Sequence, residues 1–331
     1  MGFENKWISC DLNVANAIIY GILLLSSDNP KPMSYQILTR RNFSTARATS
    51  GASSLRAKPG DGPLTLEQIR TVTPSVFAEQ AHGSRSGRYT YIPTSEILEG
   101  LAKEGFRPYA VAQGGSRTEE KRGFTKHLMR LRHDSSRELT TADKFAEIIL
   151  LNSHDGTSSY QMAGGMFRLA CLNGLIASAE LIDELKVPHK GDVQSNVIDG
   201  CIQILGSLPI VADSAREMES LMLTDAEQAI FAKAALALRY EEQPPFEAGK
   251  LLARHRSSDA PGNVWTTFNT VQENMIRGGV RYTQLKDGGN GRPIRRQQTT
   301  RPIEGIDQST ALNKALWTLA EEMKALKSGQ S

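Results

Sequence analysis

The chain has 331 residues, with 39 lysines and arginines against 36 aspartates and glutamates, a formal charge of +3. Hydrophobic residues at 39% and charged residues at 23% exclude a disordered, collagenous or membrane-embedded class. Three cysteines cannot build a disulfide framework, which points to a reducing compartment.

Residues 1–63 read as a disordered or non-native N-terminal extension. The apolar run over 13–25 is shorter than the roughly 20 residues of a membrane span. No basic segment precedes it, as a signal peptide requires. Residues 36–63 are rich in Ser, Arg, Ala and Gly, without hydrophobic period. That composition also resembles a mitochondrial transit peptide. A start at Met33 is the plainer expectation, with ordered structure from Leu64.

From there the pattern is regular. A short helix is expected over 65–72, closed before Pro74, and a strand over 88–92. A helix opens at Pro93-Thr94-Ser95, with Ile97, Leu98, Leu101 and Ala102 on one face and Gly105 at its end. Strands follow over 107–111 and 123–133, the latter with Arg130 and Arg132 opposite Met129 and Leu131. The apolar run over 146–151 reads as a buried strand. Asp155-Gly156 is a turn, and 160–173 reads as a helix with Gly174 just beyond it. The second half predicts helices over 193–205, 211–222, 225–237, 246–255, 264–276 and 310–326. Thr224 and Glu227 form a capping box. Leu312, Leu316, Leu319, Met323 and Leu326 make a heptad stripe that packs onto its own domain or onto a second subunit. The expected class is α+β: an antiparallel β-meander with flanking helices over 64–190, then a largely helical region over 191–331 carrying a basic β-hairpin at 277–301.

Little recommends catalysis. No C-x-x-C, H-E-x-x-H or EF-hand pattern occurs, nor a G-x-S-x-G elbow, Walker loop or G-x-G-x-x-G. No metal and no cofactor is expected. His127 and His133, six apart on one strand, lie about 20 Å apart and cannot share a metal. Cys171 reads as inert core filling. Asn152, His154 and Asp155 in NSHDG form the best local cluster. Such a turn is ordinarily a hydrogen-bonded structure. The rival reading is a nuclease or hydrolase, which requires these groups to converge with Glu147 or His127 in a pocket.

Charge is more informative. Residues 277–301 hold seven basic residues against Asp287 alone, a local +6, and residues 107–133 hold a local +5. The remainder carries −8, so the small total conceals a mildly acidic body bearing basic strips. The first candidate strip is Arg122, Lys126, Arg130 and Arg132. The second is Arg281, Lys286, Arg292, Arg295, Arg296 and Arg301 on the hairpin, with Gln297, Gln298, Thr299 and Thr300 as neutral donors. Tyr89 and Tyr91 are candidates for base stacking. DNA, in single-stranded form, is the expected partner, bound by a homo-oligomer without nucleotide.

Several segments also resemble a known family: RYTYIPTSEILEGLAKEGFRP, KHLMRLRH, ILLNSHDGTSSYQMAGGMFRLACLNGLI, and VWTTFNTVQENMIRGG with TTRPIEGIDQSTALNKALWTLAEEM. They are similar to an uncharacterised domain-of-unknown-function family found in prophages, conjugative plasmids and integrative elements. The resemblance spans about 64–323 and implies a mobile-element setting in a bacterial cytoplasm. It implies no activity and carries over no catalytic residue. A weaker likeness, of topology alone, connects the tyrosine-bearing strand, helix and basic meander to single-strand annealing proteins of the Rad52-like and Erf-like kind. Those bind single-stranded DNA on an oligomeric ring, which implies a role in recombination. A protein-binding factor directed against host defence is the remaining alternative.

Overall fold

Alternating apolar positions in the first half fold into one sheet. A computed structural model describes residues 53–329, apart from 59, 81, 84–90, 117, 140–143, 169–184, 241–243 and 288–292. The strands are β1 (Ser53–Arg56), β2 (Phe106–Gln113), β3 (His127–His133), β4 (Lys144–Asn152), β5 (Tyr160–Arg168) and β6 (Leu185–Val187). They lie in sequential order, each antiparallel to the next. The period of two sends His127, Met129 and Leu131 of β3 to one face, and Leu128, Arg130 and Arg132 to the other. Register sets His127 directly between Gln113 of β2 and Asn152 of β4.

The first face packs against α1 (Leu66–Val72), α2 (Thr94–Lys103) and the long α3 (Val193–Ser220). Ile97, Leu98 and Leu101 of α2 join Val197, Cys201, Ile204 and Leu208 of α3 over Phe106, Met129, Leu131, Ile148, Leu150 and Met162. Each such side chain contributes about 1.5–3 kcal/mol on burial. α3 crosses β5 closely: a Cβ on Gly200 would stand 2.9 Å from Met162 Cε. By length and composition α3 could cross a bilayer, yet its apolar stripe is spent on this core.

A second helical layer holds α4 (Asp225–Arg239), α5 (Val264–Arg277) and α6 (Ile306–Ser328). Thr224 and Glu227 cap α4 reciprocally, as expected. Trp265 and Phe268 of α5 meet Trp317 of α6 edge-on. Leu312, Leu316, Leu319 and Met323 are buried in the same core, so most of the heptad stripe is spent within the chain. From α5 the chain turns at Gly278, with φ at +69° and the Arg301 backbone carbon 2.6 Å from where a Cβ would stand. Only glycine fits that close approach with positive φ. It launches a separate two-stranded ribbon, β7 (Arg281–Asp287) against β8 (Pro293–Thr299).

The α+β class is as expected, and several elements differ. β1 lies within the segment expected to be a disordered arm, pairing with β2 at the sheet edge. Residues 160–168 form β5 instead of a helix. Tyr160, Met162, Gly164 and Met166 alternate inward, and the Gly164-Gly165 pair disfavours helix. Residues 169–173 lie outside the described residues. The two helices expected on either side of Pro209 are one helix. The lost hydrogen bond there is outweighed by an apolar face that continues through Leu208, Val211, Ala212 and Ala215. The helix expected over 246–255 shrinks to a 3-10 turn, Ala248–Leu252, containing the poor helix former Gly249. Most of the strand expected over 88–92 lies outside the described residues; Tyr91 and Ile92 are not strand.

Candidate nucleic-acid interface and a buried histidine hub

The sheet brings three histidines together beneath α2. His127 and Asn152 project from adjacent strands toward Thr94 in the first turn of α2, and His154 reaches the same hydroxyl from the turn after β4. His127 Nδ1 faces two acceptors. One is the Thr125 carbonyl at 3.3 Å, the other Ser75 Oγ at 3.0 Å, whose own proton goes to Gln113 Oε1 at 2.9 Å. Nδ1 therefore carries the His127 proton, and Nε2 accepts from Thr94 Oγ1 at 3.0 Å. With its proton committed, Thr94 Oγ1 accepts from Asn152 Nδ2 at 3.1 Å and stands 3.1 Å from both His154 Nε2 and Tyr160 Oη. His154 Nδ1 is buried and without a hydrogen-bond partner among the described residues. His189 closes the cluster by donating from Nε2 to Asn152 Oδ1 at 3.0 Å.

This hub is sealed: His127, Asn152 and His154 have no exposed surface. Burial pushes the His127 imidazole down to about 4 and the His154 imidazole to about 3, so both are neutral at pH 7. Asp155 turns away, accepting from Thr157 N and Oγ1 at 3.0 and 2.6 Å. Burial raises its pKa, and these bonds outweigh that, holding it below the ordinary value. Glu147 lies on the opposite sheet face. The hydrolase constellation is thus half assembled: His154, Asn152 and His127 converge, while Asp155 and Glu147 do not join them. The hub ties together α2, β3, β4 and the chain after β6. Ser75, Thr94 and Gln113 carried no sequence signal, since their roles depend on elements remote in the chain.

On the opposite sheet face the first expected cationic strip is not a free surface. Arg130 Nε donates to Glu147 Oε2 at 2.5 Å and Arg132 Nε to Oε1 at 2.7 Å, around a carboxylate 1% exposed. The Arg130 guanidinium lies over Phe167, and that of Arg132 is held between Tyr109 and Phe145. Burial lowers the Arg130 pKa to about 10, which leaves it cationic at neutral pH. Lys126 is bound by Asp307 at the start of α6, at 2.6 Å. Arg122 is half exposed and paired with Glu119 at 3.0 Å. The alternation that suggested a cationic face therefore places Arg130 and Arg132 in a buried cluster. Tyr91 is likewise internal, donating to the Ala78 carbonyl and packing edge-on against His154. Tyr89 lies outside the described residues.

The hairpin is different. The alternating RYTQL and IRRQQT segments pair in register, Thr283 opposite Gln297 and Leu285 opposite Arg295. Arg281, Arg295 and Arg296 are exposed. None has a carboxylate partner among the described residues, and no acid occurs in 281–285 or 294–299. Tyr282 anchors the base of the ribbon against Phe246, and Lys250 Nζ donates to the Arg281 carbonyl at 2.8 Å. Arg301 is exposed at the same base, its carbonyl accepting from Arg239. Arg277, by contrast, is paired with Glu273 at 2.6 Å. The Lys286 side chain and all of Arg292 lie outside the described residues.

A sequential antiparallel meander under three helices, a buried histidine hub and an arginine-bearing ribbon define an α+β protein. A model of the family described as "Domain of unknown function (DUF932)" matches residues 81–317, and the chain belongs to that family. It is 44% identical over 274 residues to "UPF0380 protein YfjQ" and 43% identical over 274 residues to "UPF0380 protein YafZ", both of Escherichia coli (strain K12). Each comparison covers 82% of this chain and 95% of the relative. No solved structure matches the chain.

Proposed function

We propose that this protein binds DNA through the β7–β8 ribbon. The observation that carries the proposal is the set of exposed arginines, Arg281, Arg295 and Arg296, without carboxylate partners among the described residues, on a two-stranded arm whose other side chains over 281–285 and 294–299 are uncharged. Uncompensated arginines on a protruding element are what a phosphate backbone attracts, because each contact releases condensed counterions. Gln284, Gln297, Gln298 and Thr299 supply further donors and acceptors. Arg301 extends the positive charge to the base of the arm. Arg130, Arg132 and Lys126 are engaged within the protein and play no part in this reading. The expected single-strand annealing role drew on that strip and on tyrosine stacking, so the ribbon now carries the proposal by itself. A setting in mobile elements belongs to the same proposal.

The variant R281A/R295A/R296A tests it. These side chains are exposed, so the variant should keep the thermal midpoint and circular dichroism of the parent. Its affinity for a labelled mixed-sequence duplex at low salt, read by fluorescence anisotropy, should fall on the order of tenfold or more. Unchanged affinity in a folded variant would refute the assignment.

A further inference from the structure

The geometry points to the major groove of double-stranded B-form DNA as the seat of the ribbon, with its solvent side reading base edges there. This inference rests on the proposed DNA binding and makes it specific.

The two faces of the ribbon differ. At the base of one face Tyr282 and Gln298, paired across the strands, are half-buried and turn toward the body of the protein, while Gln284, Arg296 and Ile294 further along that face are exposed. The other face carries Arg281, Thr283 and Leu285 opposite Thr299, Gln297 and Arg295, and all six are exposed. Only two of these six are cationic. A surface built solely to neutralise phosphates would be cationic throughout. This one places arginines at diagonal corners, about 14 Å apart along the strands, around a neutral centre. The neutral residues are of types that distinguish bases: glutamine pairs with adenine, and an apolar side chain contacts the thymine methyl. Gln297 is braced for that use. Its Nε2 donates to Thr283 Oγ1 across the strands at 3.1 Å, which uses one of its two N–H groups and leaves the other and the side-chain oxygen for a further partner. Leu285 is 65% exposed and leaves an apolar side chain open to such a contact.

Shape selects among nucleic acids. Two strands about 4.8 Å apart, with their side chains, fit a groove about 12 Å wide, and two-stranded ribbons are admitted by the B-form major groove. The A-form major groove of RNA is deep and narrow, closed to such an element. Unpaired strands are held by aromatic stacking. The ribbon's one aromatic, Tyr282, is instead packed against Phe246 with centroids 5.8 Å apart.

The test is selection by the full chain from a duplex pool with a randomised core, alongside the same pool in unpaired form. Enrichment of a short motif from the duplex pool is expected. Gln297→Ala should lose discrimination at one position by about tenfold while retaining affinity for unselected duplex. Binding of the duplex pool without enrichment, or stronger binding of the unpaired pool, would overturn this inference and leave DNA binding standing. Retention of neither pool at low salt would overturn both.

Discussion

Acidification from pH 7 to pH 4 is expected to remove several kcal/mol of stability, through His127 and His154. Both folded-state pKa values lie below the ordinary 6.5, at about 4 and about 3. The unfolded chain therefore binds these protons first. Their neutral, hydrogen-bonded state contributes fully above pH 6.5, and the contribution is lost as pH falls toward the folded values. At about 1.4 kcal/mol per unit, His127 alone accounts for roughly 3 kcal/mol. His154 adds to this, because its protonation places a second charge beside His127 with ring centroids 5.4 Å apart. The sum is comparable to the 5–15 kcal/mol total of an ordinary domain. Thermal unfolding followed from pH 8 to pH 4 should show the midpoint falling steeply below about pH 6.5, before most carboxylates titrate. A midpoint unchanged down to pH 4 would show that the imidazoles are not sealed in neutral form.

The second large effect belongs to Glu147. Its carboxylate is the counter-charge for Arg130, 6% exposed, and for Arg132. Glu147→Gln leaves a buried guanidinium uncompensated, at a cost of about 3–5 kcal/mol. Replacing Arg130 together with its partner, as R130M/E147L, removes the buried charge as well as the bridge and should restore part of the loss. Urea denaturation of the two variants separates these contributions. A Glu147→Gln variant within about 1 kcal/mol of the parent would mean that solvent or another group stabilises Arg130.

Local signals made much of the architecture legible in the sequence. The Thr224–Glu227 box marked the start of α4, the concentration of basic residues over 277–301 marked the ribbon, and the alternation around Met129 and Leu131 marked β3. What failed depended on burial. Alternation assigns Arg130 and Arg132 to one face without revealing that Glu147, two strands' length away in sequence, lies opposite them. A glycine pair and an inward alternation made β5 a strand where helical spacing seemed plausible. The hub was half legible: NSHDG drew attention to Asn152 and His154, while Thr94 and Ser75, which complete it, are anonymous polar residues until the sheet and α2 meet. Charge counting located the ribbon because hairpin residues have few internal partners. It misjudged the sheet because strand residues have many.

The central claim is that the ribbon arginines engage DNA phosphates. The most direct measurement is the salt dependence of duplex binding for the parent and for R281A/R295A/R296A. Three phosphate contacts predict a slope of log Kobs against log salt of about −3 or steeper, flattened by about that amount in the variant. A parent slope near zero, or the same slope in both proteins, would contradict it.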